Sequence, residues 1–60
     1  MSAAERRHFF HISRGSSFES AAVLDILHRM NQLSLEHHDE GKALLLRISS
    51  MLTRLARNQR

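Results

Sequence analysis

The chain has 60 residues, a formal net charge of +3, three phenylalanines as its only aromatics, two glycines, and neither proline nor cysteine. Without cysteine there are no disulfides and no thiolate metal sites, and no apolar run approaches the roughly 20 residues that cross a bilayer. A chain of this length buries only about 60% of its unfolded surface, and such a core rarely supplies more than about 3–5 kcal/mol, so association with another chain is the remaining route to a stable fold.

Few breakers and few strand formers predict an all-α chain. The opening segment Met1–Arg7 is polar where an export signal needs an apolar stretch, so a cytoplasmic location is expected. The first helix is predicted from about Ala3 to Met30. Stepping 100° per residue gathers Phe9, Ile12, Ser13, Ser16, Ser20, Val23, Leu24, Leu27 and Met30 on one broad face. Arg7, His11, Arg14, Asp25 and Arg29 fall opposite. The middle of the face is small and hydroxylated, with Gly15 beside it, so a neighbouring helix is expected to approach closely there.

The break comes at residues 31–34. Asn31 tolerates the left-handed conformation that ends a helix, and Ser34 suits an N-cap. Glu36, Asp39 and Glu40 then place negative charge where the dipole of a following helix favours it. That second helix is predicted over residues 35–57, with an apolar stripe of Gly41, Leu44, Leu45, Ile48, Met51, Leu52 and Leu55. So short a connection makes the helices antiparallel neighbours, one hairpin over the whole chain. Two rods cover only one side of each other, so the hairpin is expected to assemble into a four-helix bundle or a higher oligomer. Its expected core is Phe9, Ile12, Val23, Leu27, Leu44, Leu45, Ile48, Met51, Leu52 and Leu55.

Antiparallel pairing sets Arg6, Arg7 and Arg14 beside Arg47, Arg54, Arg57 and Arg60, opposed only by Glu5. The turn end holds Asp25, Glu36, Asp39 and Glu40 against Arg29 and Lys42. One reading of the basic end is helix-dipole complementation. The other is an anion-binding surface for RNA, DNA or an acidic protein, with Arg6, Arg7, Arg14, Arg47, Arg54 and Arg57 as its candidate contacts. Binding of that kind is electrostatic and weakly sequence-specific, because no basic–aromatic stacking pattern accompanies it.

Phe9, Ile12, Gly15, Ser16 and Glu19, followed by Leu24, Ile26, Met30, Leu33 and Ser34, and then Ile48, Ser49, Met51, Leu52 and Leu55, form an ordered series. It resembles the C-terminal half of a bacterial four-helix-bundle family first met as reading frames in intervening sequences of large-subunit ribosomal RNA genes. The family's third helix carries F-x-x-I-A-x-G-S-x-x-E and its fourth ends in I-S-x-M-L-x-x-L. Ser13 departs from the alanine of that pattern, and Asn31-Gln32 from a glycine and an aromatic. The family's first two helices have no counterpart, so the resemblance implies that two copies, or another protein, complete the bundle. One branch comprises accessory proteins of retroelements, which form rings and bind nucleic acid and a reverse transcriptase. In architecture alone the hairpin is similar to small plasmid regulators whose hairpin dimers bind paired RNA loops.

No catalytic constellation emerges, so a non-enzymatic protein is expected, with no cofactor. His8 and His11 stand three apart, and His37, His38 and Asp39 cluster, but at the opposite end of the hairpin, and ordinary surface histidines rather than metal ligands are expected. Glu19, at the edge of the helix-one face, is read as a structural acceptor for a hydroxyl, amide or arginine that fixes helix register. Phe18, with Ala21 and Ala22, and Leu46 on the second helix fall outside the stripes and mark a possible second contact face.

Overall fold

A computed structural model describes residues 1–59; Arg60 lies outside the described residues. Two helices, α1 (Ala3–Arg29) and α2 (Leu35–Arg57), pack antiparallel as a hairpin. Ser2 opens α1 with a reciprocal cap: its hydroxyl accepts from Glu5 N, and the Glu5 carboxylate accepts from Ser2 N. At the far end Asn31 takes φ 58°. This lets Gln32 N reach Leu27 O at 2.9 Å and Asn31 N reach His28 O at 3.1 Å, which closes the last turn of α1. Ser34 then starts α2, its hydroxyl accepting from His37 N.

The line where the helices meet follows a seven-residue repeat. On α1 it runs Ala3, Arg7, Phe10, Arg14, Ser17, Ala21, Leu24 and His28, alternating by four and three, and every one of these is buried or half-buried. It is met by His38, Lys42, Leu45, Ser49, Leu52 and Ala56 of α2 and by Gln59 just beyond it, all likewise covered. Little of this seam is bulky hydrocarbon. The buried residues are Ala56, Ser17 and Ser49, and no large side chain among the described residues is fully buried.

The seam therefore lies roughly 115° around α1 and roughly 70° around α2 from the predicted apolar faces, sharing Leu24, Leu45 and Leu52 with them. Arg7, Arg14 and Asp25, placed by periodicity on the side away from helix contacts, stand against α2 instead. Close approach also comes from different small residues than expected. Ser16 and Ser20 are exposed, and a methyl group on Gly15 would meet nothing within 4 Å. At Gly41, by contrast, it would stand 2.7 Å from Leu24 Cδ1. The physical reason is that small seam residues (Ser17, Ala21, Gly41, Ser49, Ala56) let the two backbones come together, while polar ties at both ends fix the rotation of each helix.

Those ties are specific. At the open end Arg6 Nε donates to Gln59 Oε1 at 2.6 Å and Arg7 Nη1 to Gln59 O at 3.0 Å. Farther in, Arg14 Nη1 donates to Thr53 Oγ1 at 3.2 Å. At the turn end Lys42 Nζ donates to both oxygens of Asp25, at 3.0 and 3.1 Å.

The resulting rod measures 44 × 14 × 12 Å, with a radius of gyration of 13.9 Å, against about 10 Å for a compact chain of this length. Its accessible surface is 4692 Å², whereas a compact monomer of 6.9 kDa exposes roughly 4,000 Å². Among the described residues, no helix is long and apolar enough to cross a membrane.

Candidate self-association surface

The large apolar side chains excluded from the seam collect on one side of the hairpin. Phe9, Val23, Leu27 and Met30 come from α1, and Leu44, Ile48, Met51 and Leu55 from α2. Apart from half-buried Leu27, each is 40–61% exposed. Ile12 and Ile26 border them on the outer edge of α1. Of the ten residues expected to form an oligomer core, Leu45 and Leu52 lie in the seam within the chain, Leu27 is half-buried beside it, and the other seven face outward.

Between the bulky ends of this face the α1 side is lined by Ser13, Ser16 and Ser20. Ser13 Oγ donates to Phe9 O and Ser20 Oγ to Ser16 O, each at 3.0 Å. With their hydroxyl protons already placed on their own helix, Ser13 and Ser20 can be covered without stranding a donor.

The opposite side is narrower. Phe18 and Leu46, 56% and 65% exposed, stand over a half-open groove of about 330 Å³ whose other lining residues are Ser17, Ala21, Lys42, Ala43, Leu45 and Ser49. Ser49 Oγ is buried there without a hydrogen-bond partner among the described residues.

The candidate arginines divide into two groups. Arg6, Arg7 and Arg14 are half-buried and engaged in the ties described above. Arg47, Arg54 and Arg57 are exposed on α2, and no carboxylate among the described residues pairs with them. Arg47 and Arg54, seven residues apart, border the same shallow recess.

Glu19 is exposed and accepts no hydrogen bond among the described residues. The register-fixing acceptor expected of it is thus not found within one hairpin, because its position turns away from α2. His8, His11 and His37 are exposed as well. Among the described residues no three histidine or carboxylate side chains converge as metal ligands.

The sequence groups His38 with His37 and Asp39, and Asp25 with Lys42, but does not join His38 to Asp25. His38 Nε2 donates to Asp25 Oδ1 at 2.6 Å and Nδ1 donates to Asp39 Oδ1 at 2.9 Å. Both partners are carboxylates, so the ring donates to the two of them at once only when it is protonated. The Asp25 bond, followed by that to Asp39, raises the His38 pKa above its usual value, while His38 and then Lys42 lower that of Asp25. His28 stacks on His38 with ring centroids 5.1 Å apart, and its Nδ1 donates to Leu33 O at 3.0 Å. The available signal was the repeat of sevens that puts residues 28, 38 and 42 on one line, beside Asp25.

The fold defines the class: an antiparallel two-helix hairpin with a polar, small-residue seam and an apolar outer face. Compared with known protein families, curated proteins and solved structures, the chain matches none.

Proposed function

We propose that this chain is a non-enzymatic assembly module whose hairpins associate with one another through the face of Phe9, Val23, Leu44, Ile48, Met51 and Leu55, and present the resulting bundle to a larger protein partner. The observation that carries the reading is the unspent apolar surface. The chain exposes roughly 700 Å² more than a compact monomer of its mass, close to the about 800 Å² per partner that a stable interface covers. That figure is total surface; within it Phe9, Val23, Leu44, Ile48, Met51 and Leu55, each 40–58% exposed, gather on one side, where Ser13 and Ser20 already donate to their own helix. A second hairpin supplies the large apolar contacts that one chain lacks, giving the four-helix bundle that the family resemblance implies. Sedimentation of the purified chain across nanomolar to micromolar concentrations tests this. Two or more chains per particle are expected at micromolar concentration, and a folded monomer there refutes the reading.

A second reading, a basic accessory protein that binds RNA or DNA, is favoured by Arg47, Arg54 and Arg57, exposed and unpaired among the described residues. Assembly multiplies that charge without any new residue. Such binding weakens steeply with salt, and Arg54→Glu with Arg57→Glu abolishes it while leaving the broad-face dimer intact. Undetectable affinity for both nucleic acids at low salt removes this reading. A reverse transcriptase as the larger partner rests on the family resemblance alone.

A further inference from the structure

The groove beneath Phe18 and Leu46 lies on the side of the hairpin away from the broad apolar face. Its lining includes the small residues Ser17, Ala21 and Ala43 and also Ser49, a residue 4% exposed whose Oγ has no hydrogen-bond partner among the described residues. Beside this hollow stands Phe18, a bulky ring more than half exposed. Hollow and knob on the same patch are the elements of a self-complementary contact, in which a two-fold axis seats each ring in the other hairpin.

Charge selects the direction of that contact. Glu36 and Arg57 occupy the same line of α2, 21 residues apart in sequence, or about 31 Å along the helix. Leu46 stands midway between them. A copy laid on this side end for end, with the axis near Leu46, brings each Arg57 to Glu36 of the second copy. A copy laid in the same sense brings arginine to arginine.

We infer that the Phe18–Leu46 groove is a second self-association face, on which another copy of this chain lies reversed, with each Phe18 seated in the other's groove and Arg57 beside Glu36 of the second copy. With contact faces on both sides, the hairpin assembles beyond the dimer that the broad face alone would form. This goes beyond the proposed function and stands or falls separately from it.

The test is the solution mass of the full chain, wild type and variant, by sedimentation equilibrium at tens of micromolar. Wild type is expected to exceed two chains per particle, and Phe18→Asp to stop at two with its helical circular dichroism intact. Leu46→Gln repeats the measurement should Phe18→Asp lose its fold. Glu36→Arg and Arg57→Glu should each weaken the higher assembly severalfold, and the double variant should return it to within about twofold of wild type. A Phe18→Asp or Leu46→Gln particle as large as wild type overturns the inference, as does a wild type that never exceeds two chains while Phe18→Asp leaves that dimer unchanged. Single charge reversals without rescue in the double variant overturn the reversed orientation. If Phe18→Asp yields monomers while substitutions at Leu44 change nothing, the groove contact holds and the broad-face reading fails.

Discussion

Leu44→Gln separates folding from assembly more cleanly than any change in the seam. Leu44 is 54% exposed in the single hairpin, on the face assigned to association. Glutamine has nearly the helix propensity of leucine, so the helix itself is undisturbed. Full burial of a leucine side chain contributes about 1.5–3 kcal/mol. Roughly half of that is still to be gained when a second hairpin covers Leu44, or about 0.8–1.5 kcal/mol per chain. A two-fold interface contains the residue twice, so the loss is about 1.5–3 kcal/mol per dimer, equivalent to a dissociation constant about 12- to 150-fold higher. Burial of the new amide without partners adds to this loss. Sedimentation equilibrium over a dilution series reads the constant directly, and circular dichroism at the same concentrations confirms that the helices persist. A change smaller than about threefold, with helicity retained, shows that this face is not covered in the assembly and refutes the argument.

Three further expectations concern the hairpin itself. Gly15→Ala adds a methyl group to open space in a helix interior and should stabilise by about 1 kcal/mol, whereas at Gly41 the same change forces Leu24 off its rotamer and should fall short of that gain by about 0.5–1.5 kcal/mol; equal gains in urea titrations at matched concentration would disprove the close approach of the helices. Asn31→Ala should cost about 1 kcal/mol because φ is positive there, while Asn31→Gly should match or exceed the parent, and thermal melts of the three proteins decide it. The pH dependence follows from the turn-end cluster. Because the fold raises the His38 pKa, its contribution is complete below the usual 6.5 and fades as pH climbs through the raised value. Because the fold lowers that of Asp25, its contribution is present above the usual 3.8 and fades as pH falls through the lowered value. Melting temperature should thus be highest between these limits, and His38→Gln should flatten the alkaline side. An unchanged alkaline slope in that variant would assign the pH dependence to other groups.

The elements were readable because their signals are local. Ser34 and Asn31 announce the turn through cap chemistry that depends on a few neighbouring atoms, and the spacing of Leu44, Ile48, Met51 and Leu55 marks an amphipathic helix wherever it ends up. Which side of each helix faces its neighbour was not local. The apolar stripe is the strongest periodic feature, and the usual inference assigns it to the nearest helix. Here a weaker pattern won, that of Ser17, Ala21, Ser49 and Ala56, which is defined by small size and not by hydrophobicity. Arg7, Arg14 and Asp25 look like a solvent face in sequence because their partners, Gln59, Thr53, His38 and Lys42, lie 13 to 52 residues away. The His38–Asp25 link was hidden for the same reason. Its chemistry exists only once α1 and α2 are side by side.

The polar seam itself argues for assembly. A hairpin selected to be stable alone would turn Phe9, Ile48, Met51 and Leu55 inward, where each would contribute up to about 3 kcal/mol. This chain instead has Phe10, Leu24, Leu45 and Leu52 as the bulky apolar residues of its seam and fills the rest with serine, alanine, a histidine–aspartate link and arginine ties, and exposed or half-exposed polar pairs of that kind contribute about 1 kcal/mol or less apiece. Such a seam specifies rotation and register more than it stabilises. Its consequence is a flat rod only 12 Å thick whose apolar residues remain available to a neighbour. Moving the leucines into the seam and the serines out would therefore yield a more stable monomer and a weaker oligomer. The two stabilities should change in opposite directions in any variant series that exchanges residues between seam and face.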